Sequence, residues 1–135
     1  MAKTNKTGRS KGHGRFVQVH EYMMRSYAWS RLSPLARCAW LEINLFFNGS
    51  NNGRLAISAR ALAGRLGVGK SSATRATDEL LRWGFLDIVV RSDFHKTKCA
   101  TEYRLTHLPC DATGTAANKR FMKIASIVGT AEAAE

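Results

Sequence analysis

Gly64, Gly69, Lys70 and Ser71 stand at the spacing G-x-x-x-x-G-K-S, in which a glycine loop lays its backbone amides around nucleotide phosphates. A working loop of this kind follows a buried parallel strand. Here Gly64 falls inside ARALAGRL, residues 59–66, whose Ala59, Leu62, Ala63 and Leu66 make one apolar helical stripe, so the loop cannot form without unwinding a helix. Asp87 lies near the start of its strand, where it cannot serve as a magnesium ligand at a strand end, and the chain lacks the strand–helix alternation of a parallel sheet. No nucleotide is expected. His95-x-x-x-Cys99 and His107-x-x-Cys110 offer four ligands of types that zinc accepts, but the spacing matches no zinc knuckle and a strand separates the pairs. No metal or other cofactor is expected. The 10 acidic residues are scattered, and no serine, histidine and acid arrangement can be assembled, which points to a binding protein rather than an enzyme.

The cations are a stronger signal. Lysine and arginine number 21 against 10 acids, a formal net charge of +11 and a sequence pI near 10.2, which implies a polyanionic partner. Nucleic acid is the first candidate and an anionic membrane the second. Apolar runs such as Leu45-Phe46-Phe47 are far shorter than the ~20 residues needed to span a bilayer, and the opening MAKTNKTGRSKGHGRF has no apolar signal core. A cytoplasmic protein is expected, with Cys38, Cys99 and Cys110 as reduced thiols.

At 135 residues the chain has the size of one domain with tails. Residues 1–15 carry Lys3, Lys6, Arg9, Lys11 and Arg15 with no acid or large apolar group before Phe16, and read as a disordered basic arm. Residues 16–108 hold the recurring apolar residues of a folded core. Residues 109–135 read as a tail with one short amphipathic helix over 118–128. Within the core, His20 to Trp29 suggests a short helix or turn. Ser33-Pro34 starts a helix, LARCAWLEINLFF, with Leu35, Cys38, Ala39, Leu41, Leu45 and Phe46 at helical spacing and Glu42 toward solvent. Residues 48–53, NGSNNG, stop it. Leu55 and Ile57 alternate on a short strand, Ser58 caps the helix over 59–66, Gly67 ends it and Val68 plugs the turn. A third helix over Lys70 to Trp83 buries Ala73, Ala76, Leu80 and Trp83, and Gly84 terminates it. Strands over 85–90 and 100–105 flank the polar RSDFHKTKC.

Residues 67–86, GVGKSSATRATDELLRWGFL, resemble the recognition-helix signature of bacterial winged-helix regulators at Gly67, Val68, Lys70, Ser71, Arg75, Ala76, Glu79, Leu80 and Gly84. They depart from it at Gly69, where a capping serine is usual, and at Thr77, where leucine is usual. AWSRLSPLAR, NGSNNGRLAIS and EYRLTHLPCDATG are similar to segments of small winged-helix proteins associated with bacterial phages and plasmids. The resemblance implies an α+β winged helix-turn-helix, a three-helix core with a small antiparallel β wing, that binds double-stranded DNA.

With Ala73, Ala76 and Leu80 turned inward, the outer side of the third helix carries Lys70, Ser71, Ser72, Thr74, Arg75 and Asp78. Arg75 is the candidate for base readout, since a guanidinium can donate twice to guanine O6 and N7. Ser71, Ser72 and the first-turn amides suit phosphates, and Lys70 adds charge. In the wing, Arg91, His95, Lys96 and Lys98 could reach phosphates or the minor groove. The expected function is a sequence-specific regulator, repressor-like, of bacterial or mobile-element origin. The alternatives are a replication or recombination accessory of a phage or plasmid, and a protein-interaction module using Phe121, Met122, Ile124 and Ile127. That stripe could also pair in a homodimer, placing recognition helices on half-sites about 34 Å apart, or pack back onto its own domain.

Overall fold

Serines decide where three of the helices begin. In the computed structural model, which describes residues 14–91 and 100–124, Ser26, Ser33 and Ser58 each accept a hydrogen bond from the amide three residues on. The stretch expected as one helix or turn over 20–29 is two pieces: α1 (Glu21–Met24) stops, and Ser26 caps α2 (Tyr27–Arg31). Next come α3 (Pro34–Asn44), β1 (Leu55–Ala56), α4 (Ala59–Leu66) and α5 (Lys70–Arg82). Gly67, at φ 69°, closes α4 in the left-handed region and leaves only residues 67–69 between the two helices. The chain then forms β2 (Leu86–Val90) and β3 (Glu102–Leu105). The antiparallel sheet has the order β1-β3-β2, with Leu55 opposite Tyr103 and Leu86 opposite Leu105. Residues 120–124 are helical. No described helix is long and apolar enough to cross a membrane.

The buried face of α3 differs from the expected one. Ala36, Ala39, Trp40 and Ile43 are buried, whereas Cys38 is exposed and Leu41 and Leu45 are 42% and 53% exposed. Trp40 sets this rotation: its ring meets Trp29 edge-on at 5.7 Å, and Trp29 meets Phe85 at 5.6 Å. Burying the largest ring turns Leu41 and Leu45 outward. Ala36 and Ala39 of α3, like Ala73 and Ala76 of α5, are at most 1% exposed, so small side chains line the inward faces of both helices.

Packing continues past residue 108, because Phe121 is fully buried and stacks on Phe85 at 4.7 Å with an interplanar angle of 11°. Arg120 fixes it there. Its Nε donates to Asp87 Oδ1 at 2.7 Å and its Nη2 to the carbonyls of Leu81 and Leu86 at 2.6 and 2.9 Å. Asn118 donates to the other Asp87 oxygen at 2.7 Å. Gly84 has φ 81° and a Cβ there would come within 2.6 Å of the Phe121 nitrogen, so glycine is needed for both backbone angle and close approach. The stripe expected to pair in a dimer or recruit a partner therefore loses Phe121 to the core of its own domain, and Ile127 lies outside the described residues.

Asn52 is fully buried among three segments of backbone. Its Oδ1 accepts from Leu105 N at 2.7 Å, and its Nδ2 donates to the carbonyls of Leu105 and Pro109 at 3.0 and 2.8 Å. Its own amide donates to Asp111 Oδ2 at 2.8 Å, and its carbonyl accepts from the amides of Asp111 and Ala112. His107 is buried nearby with its ring 5.3 Å from Trp40 and its Nδ1 without a partner among the described residues. Burial, with the charges of His20 and Lys119 added, lowers the pKa of His107 from 6.5 to about 4.

Truncating Asn52 to alanine strands the Leu105 amide and the Pro109 carbonyl, so Asn52→Ala should lower the unfolding free energy in urea by roughly 2–3 kcal/mol. His107 is held neutral in the folded chain, so the unfolded chain binds the extra proton below its pKa. Stability should therefore be fully present above about pH 6.5 and fall as the pH drops toward 4. The loss assigned to this residue is on the order of 3 kcal/mol at most. Urea titrations across that range should be flatter for His107→Gln than for the native chain; parallel curves would assign the acid loss to other groups.

Candidate nucleic-acid interface

The candidate surface begins with the cap that α5 lacks. Gly69 takes the extended backbone of an N-cap residue, φ −74° and ψ 160°, but offers no side-chain oxygen, unlike the serines that open α2, α3 and α4. The first-turn amides of α5 therefore lack a side-chain acceptor from their cap, and the positive end of the helix dipole is not covered by one. Lys70, Ser71, Thr74 and Arg75 surround a shallow depression at this end. All four are exposed, and among the described residues neither Lys70 nor Arg75 has an ion-pair partner. The Thr74 hydroxyl donates to the Lys70 carbonyl at 3.0 Å.

The opposite face holds this helix in place. Ala73, Ala76 and Leu80 are in the core. Glu79 accepts from the Ser33 amide at 2.9 Å and from its hydroxyl at 2.7 Å, tying α5 to the first turn of α3. Ser33 thus caps its own helix and anchors another.

Of the expected helix residues, Lys70, Ser71, Thr74, Arg75 and Asp78 are exposed, and Ser72 is half-buried, nearer the packed side. Asp78 leaves the cationic end: it lines a separate cleft with Ser58, Thr74, Thr77 and Tyr103, between the start of α4, α5 and β3. Tyr103 was not among the expected residues. Burial pushes its phenol above the usual value of 10, the Asp78 carboxylate adds to the rise, and the Arg91 guanidinium opposes it. Tyr103 is therefore close enough to sense both α5 and the end of β2. Arg91 is exposed there, at the base of the 91–99 segment, while His95, Lys96 and Lys98 lie outside the described residues. Arg54 and Arg60, exposed on either side of the β1–α4 junction, are further cations that sequence reasoning passed over. Only their number and exposure could have signalled them.

Lys3, Lys6, Arg9 and Lys11 also lie outside the described residues. Arg15, expected in the same arm, is placed against the domain, where its Nη2 donates to the Phe47 carbonyl at 2.6 Å. The phosphate-loop pattern is not built as such a loop: Gly64 is inside α4 and Lys70 and Ser71 are in the first turn of α5. Among the described residues no group of three or more histidines, cysteines or acids could hold a metal ion. Cys110 is buried with its Sγ 3.7 Å from the Asn52 carbonyl.

Supplying the missing cap should stabilise α5 without repacking, since no atom lies within 4 Å of a Cβ at Gly69. Gly69→Ser is expected to raise the unfolding free energy by a few tenths of a kcal/mol, measured by urea denaturation. A drop would mean that the added side chain meets an obstacle on α4 or α5. Comparison with protein-family models, curated proteins and solved structures gives no match to this chain.

Proposed function

We propose that the protein is a winged helix-turn-helix that binds double-stranded DNA sequence-specifically, in the bacterial cytoplasm, as a repressor-like regulator of chromosomal or mobile-element genes. The observation that carries the proposal is the division of α5. One face is locked into the core through Ala73, Ala76, Leu80 and Glu79, and the other presents Lys70, Ser71, Thr74 and Arg75 at an uncapped helix start.

A helix held this way can enter the major groove as a rigid body. Its first-turn amides, with Ser71 and Lys70, would take phosphate oxygens, and Arg75, one turn on, would reach base edges. The order of elements from α3 to β3, with the sheet order β1-β3-β2, supports the winged-helix assignment, in which the β2–β3 connection would serve as the wing. Arg91 at its base would meet the flanking backbone. The net charge of +11 supplies a general attraction to DNA that salt weakens. Occupying a promoter is enough for repression, and no step of this reading needs catalysis or a cofactor.

Selection from a randomised duplex pool at physiological salt tests the proposal. A defined motif should be enriched by the native chain. Arg75→Ala should cost about 1–3 kcal/mol on that motif and relax one base pair, whereas Lys70→Ala should weaken all sequences alike and reduce the salt slope by about one. No enrichment, or equal loss on every sequence for Arg75→Ala, would overturn base readout by this helix.

A further inference from the structure

Away from α5, an open cleft of about 560 Å³ lies between residues 15–20, the end of α3 with its following loop, and residues 107–108. This volume is within the range of sites for small organic ligands. Its apolar wall includes Phe16 and Leu45, which are 76% and 53% exposed, and Phe47 and Leu108. Two large apolar side chains left this open in the lining of one cleft are poorly served by water.

The one fixed charge in the lining is the Arg15 guanidinium, beside the imidazoles of His20 and His107 and the neutral amides of Gln18, Asn44 and Asn48. No aspartate or glutamate lines the cleft. Arg15 is pinned at its edge by the bond from Nη2 to the Phe47 carbonyl, which leaves its other N–H groups without a partner among the described residues. His107 is 9% exposed, with Nδ1 sealed and unpartnered. His107 lines the cleft while Nδ1 is shut away, which leaves Nε2 as the ring nitrogen that can serve a ligand there. Placing the imidazole proton on Nε2 leaves a donor there and spares an orphaned buried N–H on the other side. The charges of Lys119 and His20 act on the same ring.

We propose that this cleft binds a small amphipathic carboxylate, with its hydrocarbon part against Phe16, Leu45 and Phe47 and its carboxylate held by Arg15 and Nε2 of His107. A guanidinium and an imidazole N–H lining one cleft with an apolar wall match the two halves of such a molecule, and a neutral hydrocarbon would leave both donors unused. The cleft shares no residue with the cationic end of α5, so the proposal does not rest on DNA binding.

The test titrates the full chain, followed by amide and imidazole NMR shifts, with octanoate, with octanol as the neutral counterpart and with acetate as the headgroup alone. Octanoate should produce saturable shifts concentrated at residues 15–20, 44–49 and 107–108, and octanol should bind about tenfold more weakly. Acetate should not saturate. Arg15→Ala and Leu45→Glu should each weaken octanoate by about tenfold or more, and Leu45 is exposed enough for the second variant to keep the fold, which the unperturbed amide spectrum would verify. Shifts that fail to saturate, that spread over the cationic surface, that are equal for octanol, or that survive both substitutions would each overturn the proposal.

Discussion

One asparagine holds together the parts of the chain that local sequence cannot bring together. Asn52 lies in the loop after α3, yet its side chain satisfies the backbone of β3 at Leu105 and of the turn at Pro109, and its own backbone is bonded by Asp111 and Ala112. Buried amides and carbonyls at the end of a short strand are costly if left alone. A primary amide has a donor and an acceptor on one planar group, so it can take the place of a missing strand neighbour. Because β1 contains only Leu55 and Ala56, Asn52 extends in effect the pairing that β1 begins.

The same economy appears where the chain closes on itself. Asp87 on β2 receives Asn118 and Arg120, and the Arg120 guanidinium also reaches the carbonyls of Leu81 and Leu86. These bonds place Phe121 over Phe85, in an aromatic group that continues through Trp29 to Trp40. The helix α5 ends beneath that closure and begins at an uncapped, cationic surface. It is anchored at one end and along one face, and its other end stays exposed.

Much of this was legible from residue type. Serine before a helical stripe identified the starts of α3 and α4, and the rhythm of Ala73, Ala76 and Leu80 separated the packed and open faces of α5, because capping and amphipathicity are local or periodic properties. The face of α3 was misread. Ala39 was expected in the stripe and is buried, but Cys38, Leu41 and Leu45 have as good a helical spacing as Ala36, Trp40 and Ile43, and apolarity alone cannot choose between two stripes on one helix. The presence of Trp29 and Phe85 around Trp40 makes that choice.

The sequence by itself determined the cationic balance, which is composition, and the starts of α3 and α4, the turn at Gly67 and the exposure of Lys70 and Arg75, which depend on neighbours within a few turns. Tertiary structure alone decided that Asn52 would knit β3, that Glu79 would anchor Ser33, that Phe121 would join the core, and that Arg15 and His107 would share a cleft. These pairs are separated by 36 to 92 positions in the chain. No period or spacing encodes such contacts, since they exist only once packing has brought distant backbone groups within hydrogen-bonding or van der Waals reach.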